Sequence, residues 1–278
     1  MRSRTSRLAW AALVVAALAS YGFEAYAEEK AEATAPVAEA EPADTVDADA
    51  LALLNSFGDA LKAQPRFSFA VELGYEVVQK DGQKLEFGAF RRYTVRRPDH
   101  LRIDEERREG GARELYFDGD QLTVWIPGDK AYGLAKLKKR RDLDSMLDLM
   151  RDALDLPVPL GDLLRVDPLP RIEQDMVSAY VVGREKLMGV ECDHVAWRTD
   201  EVNAEAWFTV GDHPLLQRLI INYEQLDGQP RFWAQFTNWS ISPDVADSVF
   251  VFAPPADAER VRLSVRGRTV QPTEEQEP

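Results

Sequence analysis

The alternation of apolar and polar positions is clearest over residues 67–95. Large apolar side chains recur at every second position along Phe67–Val77, and the alternation resumes along Leu85–Val95 after an Asp81-Gly82 pair. Because successive strand residues point to opposite faces, this period of two indicates strands with one buried face. An Asp-Gly pair between such runs favours a hairpin turn. The pattern therefore predicts a long hairpin whose buried face is rich in aromatic side chains.

Shorter alternating segments continue beyond the hairpin. Over residues 97–134 they are separated by Gly-Gly, Asp-Gly and Pro-Gly pairs, which favour turns. Alternation resumes over residues 179–252 and ends in a predicted strand at 250–252, and residues 259–267 could add an edge strand. Short strands joined by such turns predict an antiparallel meander.

Two segments have a helical period instead. Residues 50–64 carry apolar side chains three and four positions apart, with Asp47 or Asp49 as the N-cap and Pro65 at the end. Residues 143–154 form a second apolar stripe of the same spacing, in the middle of the meander. We therefore expect one helix before the sheet and a helical insert within it.

The N-terminus is typical of an export signal. Three arginines precede an apolar run over residues 8–23, and Ala25-Tyr26-Ala27 offers a small-x-small cleavage site. An uncleaved membrane anchor is the alternative, but the run is short for a membrane span and Glu24 follows it. We expect a signal peptide over residues 1–27 that is cleaved after Ala27.

Charge and cysteine content narrow the class of protein. The formal net charge is −14, and removal of residues 1–27 takes away three Arg and one Glu, which leaves −16. A chain this acidic is a poor candidate for binding nucleic acid. Cys192 is the single cysteine, so it forms no internal disulfide and no lipid can be attached at the cleavage point. We expect a soluble, monomeric periplasmic protein that is neither membrane-spanning nor a lipoprotein.

Composition also divides the chain. Residues 28–48 consist almost entirely of Ala, Glu, Asp, Pro and Thr, which predicts a disordered linker. Residues 268–278 are polar and predict a disordered tail. One folded domain is therefore expected over residues 49–267.

A series of short motifs runs in order along residues 50–263. They are Arg97-Pro98, Tyr116–Gly119, Pro159–Leu164, Gly189–His194, Trp197-Arg198, Ala206–Phe208, Gly211–Leu215, Leu219–Tyr223, Trp239 and Phe250–Pro255. Together these motifs resemble a bacterial family of predicted periplasmic proteins of unknown function. That family is similar to the lipoprotein-carrier, or LolA/LolB-like, superfamily.

The resemblance implies an α+β fold that is mainly antiparallel β. The expected sheet is a strongly curved, unclosed barrel of about eleven strands, with helices covering its concave face. The resemblance also implies an apolar cavity that takes acyl chains, and it implies no catalytic residue because none is established for the family. The arginine that holds the helical lid in the lipoprotein carriers is not matched to a position here.

The candidate ligand site joins the inner face of the hairpin to the helical insert, whose methionines can adapt to irregular apolar partners. Its predicted lining is Phe69, Val71, Leu73, Tyr75, Leu85, Phe87 and Tyr93, covered by Leu147, Met150 and Leu154. The alternative is a core filled by these side chains, since every sheet buries one face. The pattern leaves both open.

Three other groups of residues carry chemistry. Cys192 and His194 share a strand face, but a metal site needs three or four ligands and none is predicted. The basic run Lys136–Arg141 either meets anionic headgroups or an acidic partner, or is a solvated rim that balances Asp142, Asp144 and Asp148. Asp104–Glu106 predicts a solvated strand end, since no apolar neighbour would raise a carboxyl pKa.

We therefore expect a periplasmic carrier or binding protein for a hydrophobic ligand, such as a lipid or lipoprotein acyl chains. The alternative is a structural or sensory envelope protein that binds another protein through the same fold without carrying lipid. An enzyme is not expected, because the chain contains no Gly-x-Ser-x-Gly, His-Glu-x-x-His, phosphate-binding loop or Cys-x-x-Cys motif. No cofactor is predicted.

Overall fold

The computed structural model describes residues 45–152, 154, 158–167 and 175–262, and the backbone of 264–265 and 268–269. The predicted signal peptide at 1–27, most of the linker at 28–48 and most of the tail at 268–278 lie outside the described residues. In the described part, neither helix has the length and apolar run that a membrane crossing requires.

Two α-helices and twelve strands make up the described domain. The helices are α1 (Ala48–Lys62) and α2 (Leu143–Asp152). The strands are β1 (Arg66–Val78), β2 (Lys84–Arg96), β3 (His100–Arg107), β4 (Ala112–Phe117), β5 (Gln121–Ile126), β6 (Ala131–Lys136), β7 (Met176–Leu187), β8 (Val190–Thr199), β9 (Val202–Thr209), β10 (Leu216–Tyr223), β11 (Arg231–Ile241) and β12 (Glu259–Val261). Single 3₁₀ turns occupy Pro127–Asp129, Gly161–Leu164 and Asp247–Phe250, and Ser264–Val265 pairs with Arg268–Thr269.

One sheet contains all twelve strands, in the order β12-β6-β5-β4-β3-β2-β1-β11-β10-β9-β8-β7. All neighbours are antiparallel except β12, which pairs in parallel with β6. The sheet is curved and does not close, because β12 and β7 form separate edges. The fold class implied by the resemblance is confirmed, with twelve strands in place of about eleven.

The predicted hairpin lies at the centre of this sheet. β1 and β2 pair in unbroken register from Arg66–Arg96 to Val78–Lys84. The turn uses Gly82 at a φ of 89°, a conformation that glycine adopts without a steric penalty. β1 also pairs with β11, so the hairpin joins the two halves of the chain.

Both helices pack on the concave face. Asp47 is the N-cap of α1, where its carboxylate accepts from the backbone N–H of Asp49 at 3.1 Å. Phe57 of α1 contacts Phe208 of β9, with ring centroids 5.0 Å apart. α2 buries Leu143, Met146, Leu147 and Met150 in the same core.

The predicted strand at 250–252 is wrong. The chain forms a 3₁₀ turn at Asp247–Phe250 and then crosses the outer face of the sheet. There the ring of Phe252 contacts Tyr116, Trp125 and Tyr132, with centroids 5.2–5.4 Å apart. A strand needs a free edge for its hydrogen bonds, and the edge of β6 is taken by β12 instead.

Candidate functional site

The base of the hairpin, where β1 begins and β2 ends, is buried in the core. Phe69, Val71, Leu73 and Tyr93 of the predicted site all lie there, and each is almost fully buried. The rings of Phe69 and Tyr93 stack with centroids 4.8 Å apart. These four residues are brought together as the sequence predicts.

The tip of the hairpin, near the Asp81-Gly82 turn, is less covered. Tyr75 and Phe87 are half-buried, with ring centroids 6.1 Å apart, and Leu85 is 38% exposed. One continuous apolar strip therefore runs along the inner face of the hairpin from a closed end to a partly open end.

The remaining predicted residues belong to the helix that covers the sheet. Leu147 and Met150 of α2 are buried, and Leu154 is buried just beyond the end of the helix. We call α2 together with residues 158–164 the helical cover. Met150 and Val158 of this cover face Ile103 and Leu115, which belong to β3 and β4.

Four charged side chains interrupt the apolar concave face, a feature absent from the sequence-based site. Arg91, Glu105 and Arg113 stand directly opposite one another in β2, β3 and β4. The carboxylate of Glu105 pairs with Arg91, and it accepts from Arg113 and from Arg107 at 3.1 Å each. Arg91 is only 7% exposed and Glu105 only 3%. We call Arg91, Glu105, Arg107 and Arg113 the charge cluster.

The charge cluster keeps its charges despite burial. Burial raises the pKa of the Glu105 carboxyl, but Arg91, Arg113 and Arg107 outweigh it and hold that pKa below its ordinary value. Burial likewise opposes the charge of Arg91, while Tyr93 and Glu105 raise the net pKa of its guanidinium. Burial lowers the pKa of Arg113, although its guanidinium stays protonated at neutral pH. The cluster therefore holds three positive groups and one negative group.

Tyr93 connects the charge cluster to the helical cover. Nη1 of Arg91 donates to the Tyr93 hydroxyl oxygen at 3.3 Å, and that hydroxyl donates to the carbonyl oxygen of Pro159 at 2.8 Å. Burial raises the pKa of the Tyr93 phenol, so it remains a donor at neutral pH. The cover is thus tied to β2 by a hydrogen bond at the inner face.

Arg97 connects the end of α1 to the segment that follows the helical cover. Its Nη1 donates to the carbonyl oxygens of Leu61 and Gln64, at the end of α1, at 2.8 Å each. Its Nη2 donates to the carbonyl oxygen of Arg165 at 2.5 Å, just after the helical cover. Burial lowers the pKa of this guanidinium, whose Nε, like that of Arg91, has no hydrogen-bond partner among the described residues.

The prediction of a solvated strand end at Asp104–Glu106 is wrong for Glu105. Leu101 and Ile103 point inward, and Glu105 continues the same alternation. Arg91 also points inward, because in β2 it lies two residues from each of the inward residues Ala89 and Tyr93. Strict parity is the signal in the sequence that locates both charges on the inner face.

A small cavity lies between the charge cluster and the helical cover. Its volume is about 20 Å³, room for roughly one water molecule. It is lined by Arg91, Ile103, Glu105, Arg113, Leu115, Val124, Met150 and Val158. Met150 alone of the ten predicted site residues lines it. The side chains of the protein fill the rest of the space between the charge cluster and the helical cover.

Cys192 and His194 lie on the outer face of the sheet. Cys192 is fully buried, and burial raises the pKa of its thiol. The ring of His194 stacks on Trp207 at 4.1 Å, and its Nε2 lies 3.1 Å from a carboxylate oxygen of Glu205. Among the described residues, no group of three or more His, Cys, Asp or Glu side chains could hold a metal ion.

The basic run Lys136–Arg141 lies on the surface between β6 and α2. Arg140 forms ion pairs of 2.5 Å with Asp99 and Asp120. The sequence predicts that the nearby Asp142, Asp144 and Asp148 balance the charge of the basic run. For Arg140 this prediction is wrong, because its partners are Asp99 and Asp120. The side chains of Lys138 and Lys139 are exposed.

No curated protein matches the chain. Similar solved structures include lipoprotein LppX from Mycobacterium tuberculosis, 14% identical with a TM-score of 0.44, over 72% of this chain and 98% of that chain. LprF from Mycobacterium bovis is 13% identical with a TM-score of 0.45, over 77% and 99%. A LolA superfamily protein from Nitrosomonas europaea is 12% identical with a TM-score of 0.34, over 73% and 97%. These likenesses are too distant to say what this chain binds.

A family model described as a predicted periplasmic protein matches residues 50–264. This range agrees with residues 50–263, over which the motifs resemble such a family, and the family prediction is confirmed. The chain belongs to the DUF2092 family of predicted periplasmic proteins.

Proposed function

We propose that this chain is a periplasmic carrier or binding protein for a hydrophobic ligand, a lipid or the acyl chains of a lipoprotein. The ligand lies between the concave face of the sheet and the helical cover. The observation that supports this most is the continuous apolar strip of the hairpin, which is buried at Leu73 and still half-exposed at Tyr75 and Phe87.

Ligand entry requires the helical cover to open, which breaks a hydrogen bond and uncovers the buried apolar side chains of α2. The hydrogen bond from Tyr93 to Pro159 contributes about 1 kcal/mol net. Each buried methylene of a ligand contributes about 0.8 kcal/mol. A few methylenes therefore offset this bond, and the rest of the chain replaces the contacts that Met150 and its neighbours give up.

We also propose that the chain is exported without a membrane anchor or an attached lipid. Cleavage after Ala27 would release a mature chain that begins at Glu28 and carries no cysteine near its N-terminus. The intact mass of the protein recovered from the periplasm tests this directly. The mass is recorded under denaturing conditions, so that only covalent groups remain. A mass that still includes residues 1–27, or that includes a covalently attached lipid, contradicts it.

Native mass spectrometry of the periplasmic protein, with extraction of bound lipid, tests the carrier function. We expect a stoichiometric hydrophobic ligand, and we expect the delipidated protein to bind a hydrophobic dye that lipid displaces. A protein that is recovered without ligand and fails to bind the dye contradicts the proposal.

A pair of phenylalanines in β2 gives matched variants for this test. Phe87 lies on the inner face and Phe90 on the outer face, and both are half-buried. Phe87→Asp should abolish ligand uptake, because it introduces a charge into the apolar strip. Phe90→Asp should leave uptake intact. Equal uptake by both variants would mean that the ligand lies elsewhere.

Binding of another envelope protein is a second candidate function, favoured by the edge strand β7. Val46 bridges β7 only at Ala179. Beyond that point Val182 is 50% exposed and Met188, just after the strand, is 75% exposed. Among the residues that the structure describes, no strand pairs with this side of β7 beyond Ala179, and such an edge with apolar side chains can pair with an extended peptide. Loss of a co-purified protein in Val182→Lys, with bound lipid unchanged, would support this function.

A further inference from the structure

The charge cluster contains more positive charge than its carboxylate needs. Three guanidinium groups converge on Glu105, and they do so in the middle of an apolar face. A buried ion pair is not a general source of stability, because desolvation of both ions offsets their attraction. A single arginine would be enough to neutralise Glu105, so the surplus charge points to a second anion.

Arg91 still has a donor to offer. Its Nη1 donates to Tyr93 and its Nη2 pairs with Glu105, but its Nε has no hydrogen-bond partner among the described residues. The side chain is 7% exposed and lines the cavity. Buried N–H groups are nearly always paired, so this donor is placed for a group outside the described chain. Guanidinium groups bind carboxylates and phosphates through such N–H donors.

The cavity has two chemically different sides. Arg91, Glu105 and Arg113 form one side, and apolar side chains such as Leu115, Met150 and Val158 form the other. A neutral lipid would leave the surplus positive charge without a counter-ion and the Nε of Arg91 without an acceptor. An amphiphile with an anionic head and an acyl chain matches both sides.

We propose that the charge cluster is a head-group subsite for an acyl-chain anion. The carboxylate or phosphate of the ligand binds Arg91 and Arg113, while its chain lies along the apolar lining under the helical cover. Glu105 holds the two guanidinium groups in place when the subsite is unloaded. This inference rests on the proposed function and adds the chemical class of its ligand.

Three probes with the same chain test the subsite on the delipidated full-length protein. Dodecanoate and dodecyl phosphate are titrated below their micelle concentrations and dodecan-1-ol below its solubility limit, with displacement of a bound dye as the readout. At least one anion should bind about tenfold or more tightly than the alcohol, because a charge-assisted hydrogen bond replaces a buried, unpaired donor. The tighter of the two anions identifies the head group as a carboxylate or a phosphate.

A variant that removes the buried charges must not simply unfold the protein. The triple variant Arg91→Met, Glu105→Met and Arg113→Met replaces both guanidinium groups of the subsite and their carboxylate with apolar side chains, a change that proteins often tolerate. Arg107, whose side chain is 48% exposed, is the charge of the cluster that remains. This variant should bind dodecan-1-ol as the wild type does and lose the preference for the anion. The matched control is Arg92→Met with Glu106→Met, an exposed ion pair on the outer face of the same two strands, which should keep the preference.

The outcomes separate the subsite from the carrier function. Equal affinity of the wild type for all three probes overturns the subsite and leaves the carrier function standing. Retention of the anion preference in the Arg91/Glu105/Arg113 variant also overturns the subsite. Failure of all three probes to bind overturns both proposals.

Discussion

The hydroxyl of Tyr93 donates a 2.8 Å hydrogen bond to the carbonyl oxygen of Pro159, which joins the inner face of β2 to the segment after α2. The same hydroxyl accepts from Arg91 at 3.3 Å. One buried phenol therefore connects the charge cluster, the sheet and the helical cover. The position of the cover and the state of the cluster are linked through it.

Tyr93→Phe should loosen the helical cover without disturbing the rest of the core. The change removes the buried hydrogen bond to the cover and the one accepted from Arg91, each worth about 1 kcal/mol, and keeps the ring that stacks on Phe69. Hydrogen exchange followed by mass spectrometry should show faster exchange in α2 and unchanged exchange in α1. Tyr132→Phe, on the outer face, is the matched control and should leave α2 as it is. Unaltered exchange of α2 in Tyr93→Phe would show that other contacts hold the cover.

Single and double variants of the charge cluster should differ sharply in stability. Removal of one partner of a buried ion pair costs about 3–5 kcal/mol, whereas replacement of both by apolar residues is often neutral. Glu105→Met should be more destabilising than Arg91→Met. In the first variant the buried Arg91 keeps only Tyr93, whereas in the second Glu105 keeps Arg107 and Arg113.

Urea unfolding of Glu105→Met, Arg91→Met and the variant that carries both changes measures these differences as a thermodynamic cycle. The double variant should lie closer to the wild type than Glu105→Met does, because it leaves no buried Arg91 without its carboxylate. Additive losses in the double variant would mean that the two residues contribute independently, which contradicts a coupled buried pair.

Low pH should lower the folding stability of the protein, partly through protonation of Glu105. The pKa of this carboxyl is held below its ordinary value of 4.5 in the folded protein, after the arginines outweigh the effect of burial. Because the pKa of the Glu105 carboxyl is lower in the folded than in the unfolded protein, its carboxylate contributes its full stabilisation at pH values above the unfolded pKa. It is lost as the pH falls from there through the lower folded pKa. Among the described carboxylates, Glu105 is the one most deeply buried.

Melting temperatures recorded from neutral pH down to about pH 3 test this sign. The gap between the wild type and Glu105→Gln should be constant near neutral pH and should narrow as the pH falls below about 4.5. Glu106→Gln, whose side chain is exposed on the outer face, should follow the wild-type profile. A gap that widens in acid would reverse the inferred direction of the pKa shift.

The central hairpin could be predicted from the sequence because its signals are local. The period of two places Phe69 and Leu73 on one face, and the Asp81-Gly82 turn sets the register from Arg66–Arg96 to Val78–Lys84. Both helices could be predicted for the same reason, since each has an apolar stripe of helical spacing within a single segment.

The charge cluster depends on relations between strands that no single segment contains. Glu105 stands within an acidic run in the sequence, and its burial becomes clear only when Arg91 and Arg113 are aligned beside it in β2 and β4. Parity alone indicates that Glu105 points inward, two positions after Ile103. The volume beneath the helical cover is equally non-local, because it depends on how closely Met150 packs on the sheet.

Phe252→Ala should lower stability and leave ligand binding unchanged. The ring of Phe252 contacts Tyr116, Trp125 and Tyr132 on the outer face, away from the charge cluster and the hairpin strip. Loss of a half-buried aromatic side chain should cost about 1–2 kcal/mol of unfolding free energy. Val251→Ala is the matched control, because Val251 is 49% exposed and its truncation should have little effect.

Urea unfolding and the dye-displacement assay together check the Phe252 prediction. If residues 250–252 formed a strand, Phe252 would be held mainly by backbone hydrogen bonds, which alanine preserves, and the two variants would be similarly stable. A large loss in Phe252→Ala alone supports the aromatic contact seen here. A loss of dye binding in this variant would mean that the outer face communicates with the cover, which the separation of the two faces argues against.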